Sequence, residues 1–227
     1  MKWIGRRGSG NIEDRRGMST GGKVMGGGIG TLVIVLLVYL LGGDPSSILE
    51  QTGGGQTTSG PVEASEEENQ MAQFVSVVLA DTEEVWDEIF REAGATYRKP
   101  TLVLFRDQVQ SACGYATAAS GPFYCPGDEK VYIDLSFMDD LQNKYGAQGD
   151  FAVAYVIAHE IGHHVQNLMG ILDEVHVERQ RLSEVRANQL TVRLELQADF
   201  FAGVWAHHAS RMFSSLEAGD IEEALNA

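Results

Sequence analysis

The chain has 227 residues, 44% of them hydrophobic, and a formal net charge of −15 at pH 7. This length allows one compact domain with extensions. The acidic balance excludes nucleic-acid binding through a basic surface. The charge is uneven, because residues 1–25 hold six of the seventeen basic residues and only two acids.

An uncharged, largely apolar stretch runs from Gly26 to Gly43. Its length is about the lower limit for crossing the hydrocarbon core of a bilayer, and basic residues before a span favour a cytoplasmic N-terminus. We expect residues 1–25 to be a cytoplasmic segment, residues 26–43 a transmembrane anchor in the lipid bilayer, and the C-terminal domain to lie on the outer side of the cell membrane, periplasmic or extracellular. A cleaved signal peptide and a buried core strand are the alternatives, although no convincing cleavage site follows the stretch.

A spacer and a helical region come next. Residues 44–64 are rich in Gly, Ser, Thr and Gln, which predicts a flexible linker before a domain over residues 65–227. Ser65 and Glu68 form a capping-box pattern at a helix start. Apolar residues then recur at helical spacing in two stretches, and the second runs from Glu83 to Ala93.

The middle third contains short β-branched runs. Thr101 to Phe105 and Lys130 to Leu135 read as strands, with a minor strand near Tyr115. Cys113 and Cys125 lie between them, and in an exported domain we expect them to form a disulfide. Such a bridge would contribute about 3 kcal/mol. Two free structural cysteines are the alternative.

The last third is helical again, from Asp150 to about Gly170 and from about Glu178 to Met212. Helices therefore flank a small β-sheet in the sequence order. The predicted fold class is α+β.

The most specific pattern is His159-Glu160-Ile161-Gly162-His163, which follows a strongly apolar part of a predicted helix. Two histidines four residues apart share a helical face, so both imidazoles can reach one metal ion. A pattern this short also arises by chance on exposed helices. The apolar context argues against that alternative, because buried imidazoles need a partner. We expect one Zn²⁺ ion per chain.

A catalytic zinc site usually has three protein ligands. The pattern HExxHxxGxxH is excluded, because Gln166 and Met169 stand where Gly and His are needed. Glu195, with Asp199 four residues later, offers a third ligand from a later helix. We expect Asp199 to accept a hydrogen bond from the outer nitrogen of a ligand histidine. A solvated helix face is the alternative for both acids, although their neighbours are apolar.

These parts fit hydrolysis of a peptide or protein substrate. Zinc lowers the pKa of a water ligand, and Glu160 accepts its proton as general base. We expect a further side chain to stabilise the oxyanion, and we favour His207 because it lies on the same predicted helix as Glu195. The other candidates are Tyr155, His176 and His208.

Two further expectations concern neighbouring parts of the chain. His164 faces about 100° away from His163 on a helix, so it is not expected to bind the metal. A strand edge near Val131 to Leu135 would suit an extended substrate, through main-chain hydrogen bonds.

The chain resembles the bacterial putative neutral zinc metallopeptidase family over nearly its whole length. The resemblance implies a zincin-like catalytic domain with His159, His163 and Glu195 on zinc and Glu160 as catalytic base. Phe200 is a departure, since cysteine is expected after Asp199. The segments that carry the resemblance are Trp3 to Arg7, Asn11 to Gly17, Ser111 to Gly114, Gly121 to Pro126, Val131 to Leu135, His159 to Gln166 and Leu194 to Ala206.

Three other functions compete with a membrane-anchored zinc peptidase. The first is a zinc-binding but non-catalytic membrane-tethered scaffold, which would not need Glu160. The second is a zinc hydrolase of a non-peptide amide or ester. The third is a structural domain without metal.

Overall fold

A computed structural model describes residues 1–17, 64–137 and 149–225. Its main sheet has the order β1-β2-β6-β5. Strand β2 pairs in parallel with β1 on one side and with β6 on the other, and β5 pairs antiparallel with β6. The strands are β1 Ile12–Asp14, β2 Thr101–Phe105, β5 Phe123–Cys125 and β6 Lys130–Asp134. With helices on both sides of it in sequence, the fold is α+β as predicted.

The two faces of the sheet bury different groups. Leu102 and Leu104 belong to the main core with the helices, whereas Val103 and Phe105 belong to a second, smaller core. This alternation follows from side chains pointing to opposite faces along a strand. A hairpin of β3 Gln108–Ser111 and β4 Gly114–Thr117 supplies part of the second core through Val109.

The hairpin is tied to the sheet by the disulfide that the sequence predicted. Cys113 and Cys125 are joined, twelve residues apart in sequence. The Cys125 side chain is fully buried in the smaller core. The bridge therefore fixes the hairpin to β5, the edge strand nearest the later helices.

Five helices complete the described part of the chain. The predicted capping box begins α1, because Ser65 Oγ accepts from Glu68 N–H and Glu68 Oε2 accepts from Ser65 N–H. The two apolar stretches form this one continuous helix rather than two. The bounds are α1 Glu66–Glu92, α2 Asp150–Leu168, α3 Ile171–Arg179, α4 Glu184–Phe213 and α5 Asp220–Leu225.

Helices α2 and α4 approach closely at Gly162. A Cβ atom added to Gly162 would lie 2.8 Å from Ala198 O and 3.1 Å from Ala198 Cα. Those are backbone atoms, so they cannot move aside as a flexible side chain would. The absence of a side chain at Gly162 therefore sets how near the two helices lie. Gly170, at φ +77°, then allows the chain to reverse between α2 and α3.

The first sixteen residues belong to the same compact unit as residues 64–227. Strand β1 pairs with β2 from Ile12↔Leu102 to Asp14↔Leu104. The Arg6 guanidinium donates to both carboxylate oxygens of Asp81 at 2.5 and 2.7 Å. The Met1 ammonium binds Asp150, at the start of α2. The amino-terminal segment is thus part of the domain.

This arrangement corrects the predicted localisation. A strand cannot pair with the sheet of a domain on the opposite side of a bilayer, so an N-terminal segment and a C-terminal domain separated by a membrane are inconsistent with β1. In the part of the chain that the structure describes, no helix is long and apolar enough to cross a bilayer.

The predicted fold class is corrected for the same reason, since it placed a transmembrane helix before the domain. The stretch 26–43 and the linker up to residue 63 lie outside the described residues. Among the described residues, the prediction of a single-pass membrane protein is wrong, because none of their helices can span a bilayer and β1 belongs to the sheet of the domain.

Strand β6 also differs from its predicted position. It lies between β2 and β5, so it is an interior strand and offers no free edge to a substrate. The sequence could not show this, because β5, which pairs with the other edge of β6, is three residues long and carries a weak strand signal. The predicted final helix corresponds to α4, which begins at Glu184 rather than near Glu178, and α3 lies mostly in the stretch before it that was not predicted to be helical.

Replacing Arg6 tests the role of the amino-terminal segment. Asp81 has a side chain only 3% exposed, so Arg6→Ala leaves a buried carboxylate without its cation. We expect the free energy of unfolding, measured by urea denaturation, to fall by about 2–3 kcal/mol. Arg7→Ala is the matched control, because the Arg7–Glu84 pair is exposed, and it should leave the midpoint unchanged. Equal effects of the two substitutions would contradict the integration of this segment.

Replacing Gly162 tests the helix contact. Gly162→Ala forces α2 and α4 apart, and we expect a loss of about 1–3 kcal/mol in thermal or urea unfolding. The control is Gly203→Ala on α4, where an added Cβ meets no atom within 4 Å. Alanine favours a helix by up to about 1 kcal/mol over glycine, so this control should be as stable as the parent or more stable. Unchanged stability in Gly162→Ala would show that the contact is not tight.

Candidate metal centre

Helix α2 presents two imidazoles on one face. His159 and His163 are one turn apart, and their ring centroids lie 4.8 Å apart. The apolar side of α2, including Phe151 and Ile157, is completely buried in the main core. Burial of that side orients the helix, so the histidines meet α4 at the point where Gly162 contacts Ala198.

Glu195 on α4 joins both histidines. Its Oε2 atom lies 3.2 Å from His163 Nε2 and 3.4 Å from His159 Nε2. Two donors bound to one tetrahedral ion at about 2.0–2.1 Å are separated by about 3.3 Å, so these distances fit a shared cation. One ligand atom from each of the three residues lies within 4.8 Å of the others. The Glu195 side chain is 48% exposed, so the centre is open to solvent.

The outer ring nitrogens are held by two acceptors. His159 Nδ1 is 2.8 Å from Asp199 Oδ1, and His163 Nδ1 is 2.9 Å from Gln166 Oε1. With the proton on Nδ1 in each ring, both Nε2 atoms present lone pairs toward Glu195. Burial lowers the pKa of His163, which favours the neutral imidazole that binds metals.

Both acceptors are themselves fixed. Asp199 also accepts a hydrogen bond from the Tyr155 hydroxyl at 2.8 Å. The Gln166 amide donates to Leu194 O at 2.8 Å and to Gln197 Oε1 at 3.0 Å. These bonds connect α2 to α4 on both sides of the histidine pair, so the same contacts that join the helices also orient the rings.

Glu160 lies beside His159 in sequence and is buried, with 8% of its surface exposed. Burial raises the pKa of its carboxyl group to about 8, although the backbone N–H of Tyr124 on β5 opposes this with a hydrogen bond. A cation held by the neighbouring ligands would favour the carboxylate form. Glu160 therefore has the environment of a proton acceptor.

His164 points away from the centre, as predicted. Its Nε2 lies 2.6 Å from Arg98 O, and its Nδ1 lies 3.0 Å from the Tyr124 hydroxyl. Asn167 also donates to that hydroxyl at 3.0 Å. These bonds hold β5 against α2, and β5 supplies the N–H that contacts Glu160.

A second group of carboxylates is satisfied by the protein itself. Asp150, Asp220 and Glu223 lie close enough to hold a cation. However, the Met1 ammonium binds Asp150 and lies 3.4 Å from Asp220 Oδ1, and Glu223 accepts from Phe151 N–H at 3.1 Å. This group anchors the amino terminus to α2 and α5.

The structure does not bring the predicted oxyanion partner to the centre. His207 follows Glu195 by twelve residues on α4, which is about 18 Å along the helix axis. It lines a cavity beside His159 instead. His176 is exposed on α3 and pairs with Gln180, and His208 contacts His207. None of these three contacts the ligand atoms.

Two residues that contact the centre, Gln166 and Tyr124, and the exposed surface around Glu195 were not predicted from the sequence. Gln166 follows His163 by three residues, and that spacing on a helix was the available signal. The Tyr124 backbone contact had no signal in the sequence. The segment around Glu195 was expected to be buried, yet Leu196 and Phe200 are 60% and 65% exposed.

Comparisons with known proteins agree with this centre. The sequence matches the family described as Putative neutral zinc metallopeptidase over residues 1–227. It is 46% identical over 237 aligned residues to the uncharacterized protein YpfJ of Escherichia coli (strain K12), covering 100% of this chain and 82% of that protein. It is 39% identical over 164 residues to the uncharacterized protein Rv2575 of Mycobacterium tuberculosis, covering 68% of this chain and 54% of that protein.

No solved structure matches the chain significantly. The family match covers the whole chain, including the segments that carry His159, Glu160, His163 and Glu195. The chain therefore belongs to the putative neutral zinc metallopeptidase family.

Proposed function

We propose that the protein is a zinc-dependent peptidase that hydrolyses peptide bonds in peptide or protein substrates. The observation that carries the proposal is the convergence of two imidazole nitrogens and one carboxylate oxygen beside a buried glutamate. Two nitrogen donors and one oxygen donor suit zinc and leave a fourth position for water. His159, His163 and Glu195 would hold the ion.

Zinc in this position would act as a Lewis acid on the peptide carbonyl and lower the pKa of a water ligand. The protein residues supply the remaining steps. Glu160 accepts the proton of the attacking water as general base, and it then delivers that proton to the leaving amine. Asp199 and Gln166 accept hydrogen bonds from Nδ1 of the two imidazoles, which leaves each Nε2 to face the ion.

The buried position of Glu160 favours a peptidase over a zinc-binding scaffold. A site that only holds metal does not need a fourth titratable group beside its ligands, and burying a carboxylate is unfavourable without a use. The half-exposed Glu195 side chain also leaves the centre accessible to a substrate.

Glu160→Gln tests the assignment of the base. We expect one zinc ion per chain to be retained, as measured by atomic absorption, while kcat/KM on an unstructured protein substrate falls by about 10²- to 10⁴-fold. The matched control is Glu178→Gln, an exposed glutamate on α3, which should cleave at the parent rate. Chelation should abolish cleavage by the parent, and added zinc should restore it.

Equal cleavage by the parent and Glu160→Gln would assign the activity to another group or to a contaminant. Cleavage of amide or ester compounds without any cleavage of peptides would replace the peptidase by a different zinc hydrolase.

Asp199→Asn tests the hydrogen bond to His159. Asparagine is a weaker acceptor, and its amide group can also present a donor to His159 Nδ1. We expect zinc affinity, measured by competition with a chromophoric chelator, to fall by about 10- to 100-fold. Tyr155→Phe is the control, because it removes only the hydroxyl that donates to Asp199, and it should have a smaller effect. An unchanged affinity in Asp199→Asn would show that Asp199 does not act on the metal ligand.

A further inference from the structure

A cavity of about 870 Å³ lies between α2, α4 and α5, and His159 and Asp199 form part of its lining. It therefore adjoins the proposed catalytic centre on the Nδ1 side of His159, where Asp199 and Tyr155 lie. Its size falls within the range of about 300–1,000 Å³ that is common for ligand pockets. A substrate residue on one side of a bond held at the centre would reach this cavity by extending past His159.

Apart from His207 and Ser210, the walls away from the centre are apolar. They include Phe151 and Val156 from α2, Ala206 from α4, and Ile221 and Leu225 from α5. The described lining contains no Lys, Arg or Glu side chain. A charged substrate side chain would lose its hydration against these apolar walls, and the Asp199 carboxylate is already bonded to His159 and Tyr155, whereas an apolar side chain would be removed from water.

Gly203 keeps the cavity open on the α4 side. It lies on the same helix as Glu195, and a Cβ atom added there would meet no other atom within 4 Å. A larger residue at this position would project into free space without moving the backbone. Ile221 and Leu225 on the opposite side are 50% and 81% exposed, so no other part of the described chain covers them.

From these observations, and resting on the proposed peptidase function, we propose that this cavity binds large apolar side chains of the substrate beside the scissile bond. Gly203 is then a specificity-determining residue, because its missing side chain leaves room for them. The preferred substrates are peptides or unfolded segments with Phe, Leu, Ile or Met at a fixed position next to the cleaved bond.

The test compares cleavage sites on one substrate. The zinc-loaded full chain is incubated with reduced and alkylated α-lactalbumin, and the cleavage sites are mapped by mass spectrometry. The parent should cleave with large apolar residues enriched at one position. Gly203→Leu should reduce cleavage at those sites by about tenfold or more and retain cleavage beside Ala or Gly, with unchanged zinc content.

Two further variants separate filling of the cavity from general damage. Asn188→Leu adds the same side chain at an exposed position of α4, fifteen residues from Gly203, and should preserve the parent cleavage pattern. Ile221→Asp places a charge at the already exposed cavity rim, and it should reduce cleavage at apolar sites without changing α4. An unchanged pattern in both Gly203→Leu and Ile221→Asp, or no apolar enrichment in the parent, would overturn the proposal.

A binding measurement separates failure of this proposal from failure of the peptidase function. The metal-free parent should bind N-acetyl-phenylalaninamide more tightly than N-acetyl-alaninamide in an NMR titration, and Gly203→Leu should lose this difference. Absence of cleavage together with this binding pattern would refute the peptidase function but support the apolar site. Equal binding of the two compounds by the parent would refute the apolar site, whatever the activity.

Discussion

The close contact between Gly162 on α2 and Ala198 on α4 is the constraint on which the centre depends. Any side chain at position 162 would meet backbone atoms of the other helix. Because the two helices touch there, Glu195, three residues before Ala198, reaches both imidazoles, and Asp199, one residue after it, reaches the outer nitrogen of His159. A separation larger by the thickness of a methyl group would lengthen each of these distances beyond hydrogen-bonding or coordination range.

The electrostatics of the centre follow from the same packing. Burial on α2 disfavours the charged forms of both His163 and Glu160. It therefore lowers the pKa of His163 and raises the pKa of Glu160. Without a cation, the centre therefore contains a His163 ring that favours its neutral form and a Glu160 carboxyl group whose ionisation is unfavourable. A divalent ion would stabilise the ionised Glu160 and would use the free Nε2 lone pairs of the rings. The charge of a divalent ion thus offsets the cost of ionising Glu160 in this buried environment.

The sequence predicted the α+β class, the two central strands and the three side chains that converge at the candidate centre, because these depend on local spacing. His159 and His163 are one helical turn apart, and Glu195 and Asp199 repeat that spacing. The sequence did not predict β1 or β5, since three-residue strands are defined by their partners rather than by their own pattern. It also could not show that β6 is an interior strand or that the backbone N–H of Tyr124 reaches Glu160. Those features depend on pairing and packing between distant segments.

The position of β1 has a consequence for how the protein is synthesised and folded. Ile12 leaves the ribosome well before Leu102, its partner in the sheet. Strand β1 therefore cannot pair until β2 has been translated. Contacts of such sequence separation form slowly, because closing a long loop costs chain entropy. During that interval the amino-terminal segment is available to chaperones, and a nascent chain halted before residue 101 cannot bury it. Sheet completion is therefore a late event in the maturation of this protein.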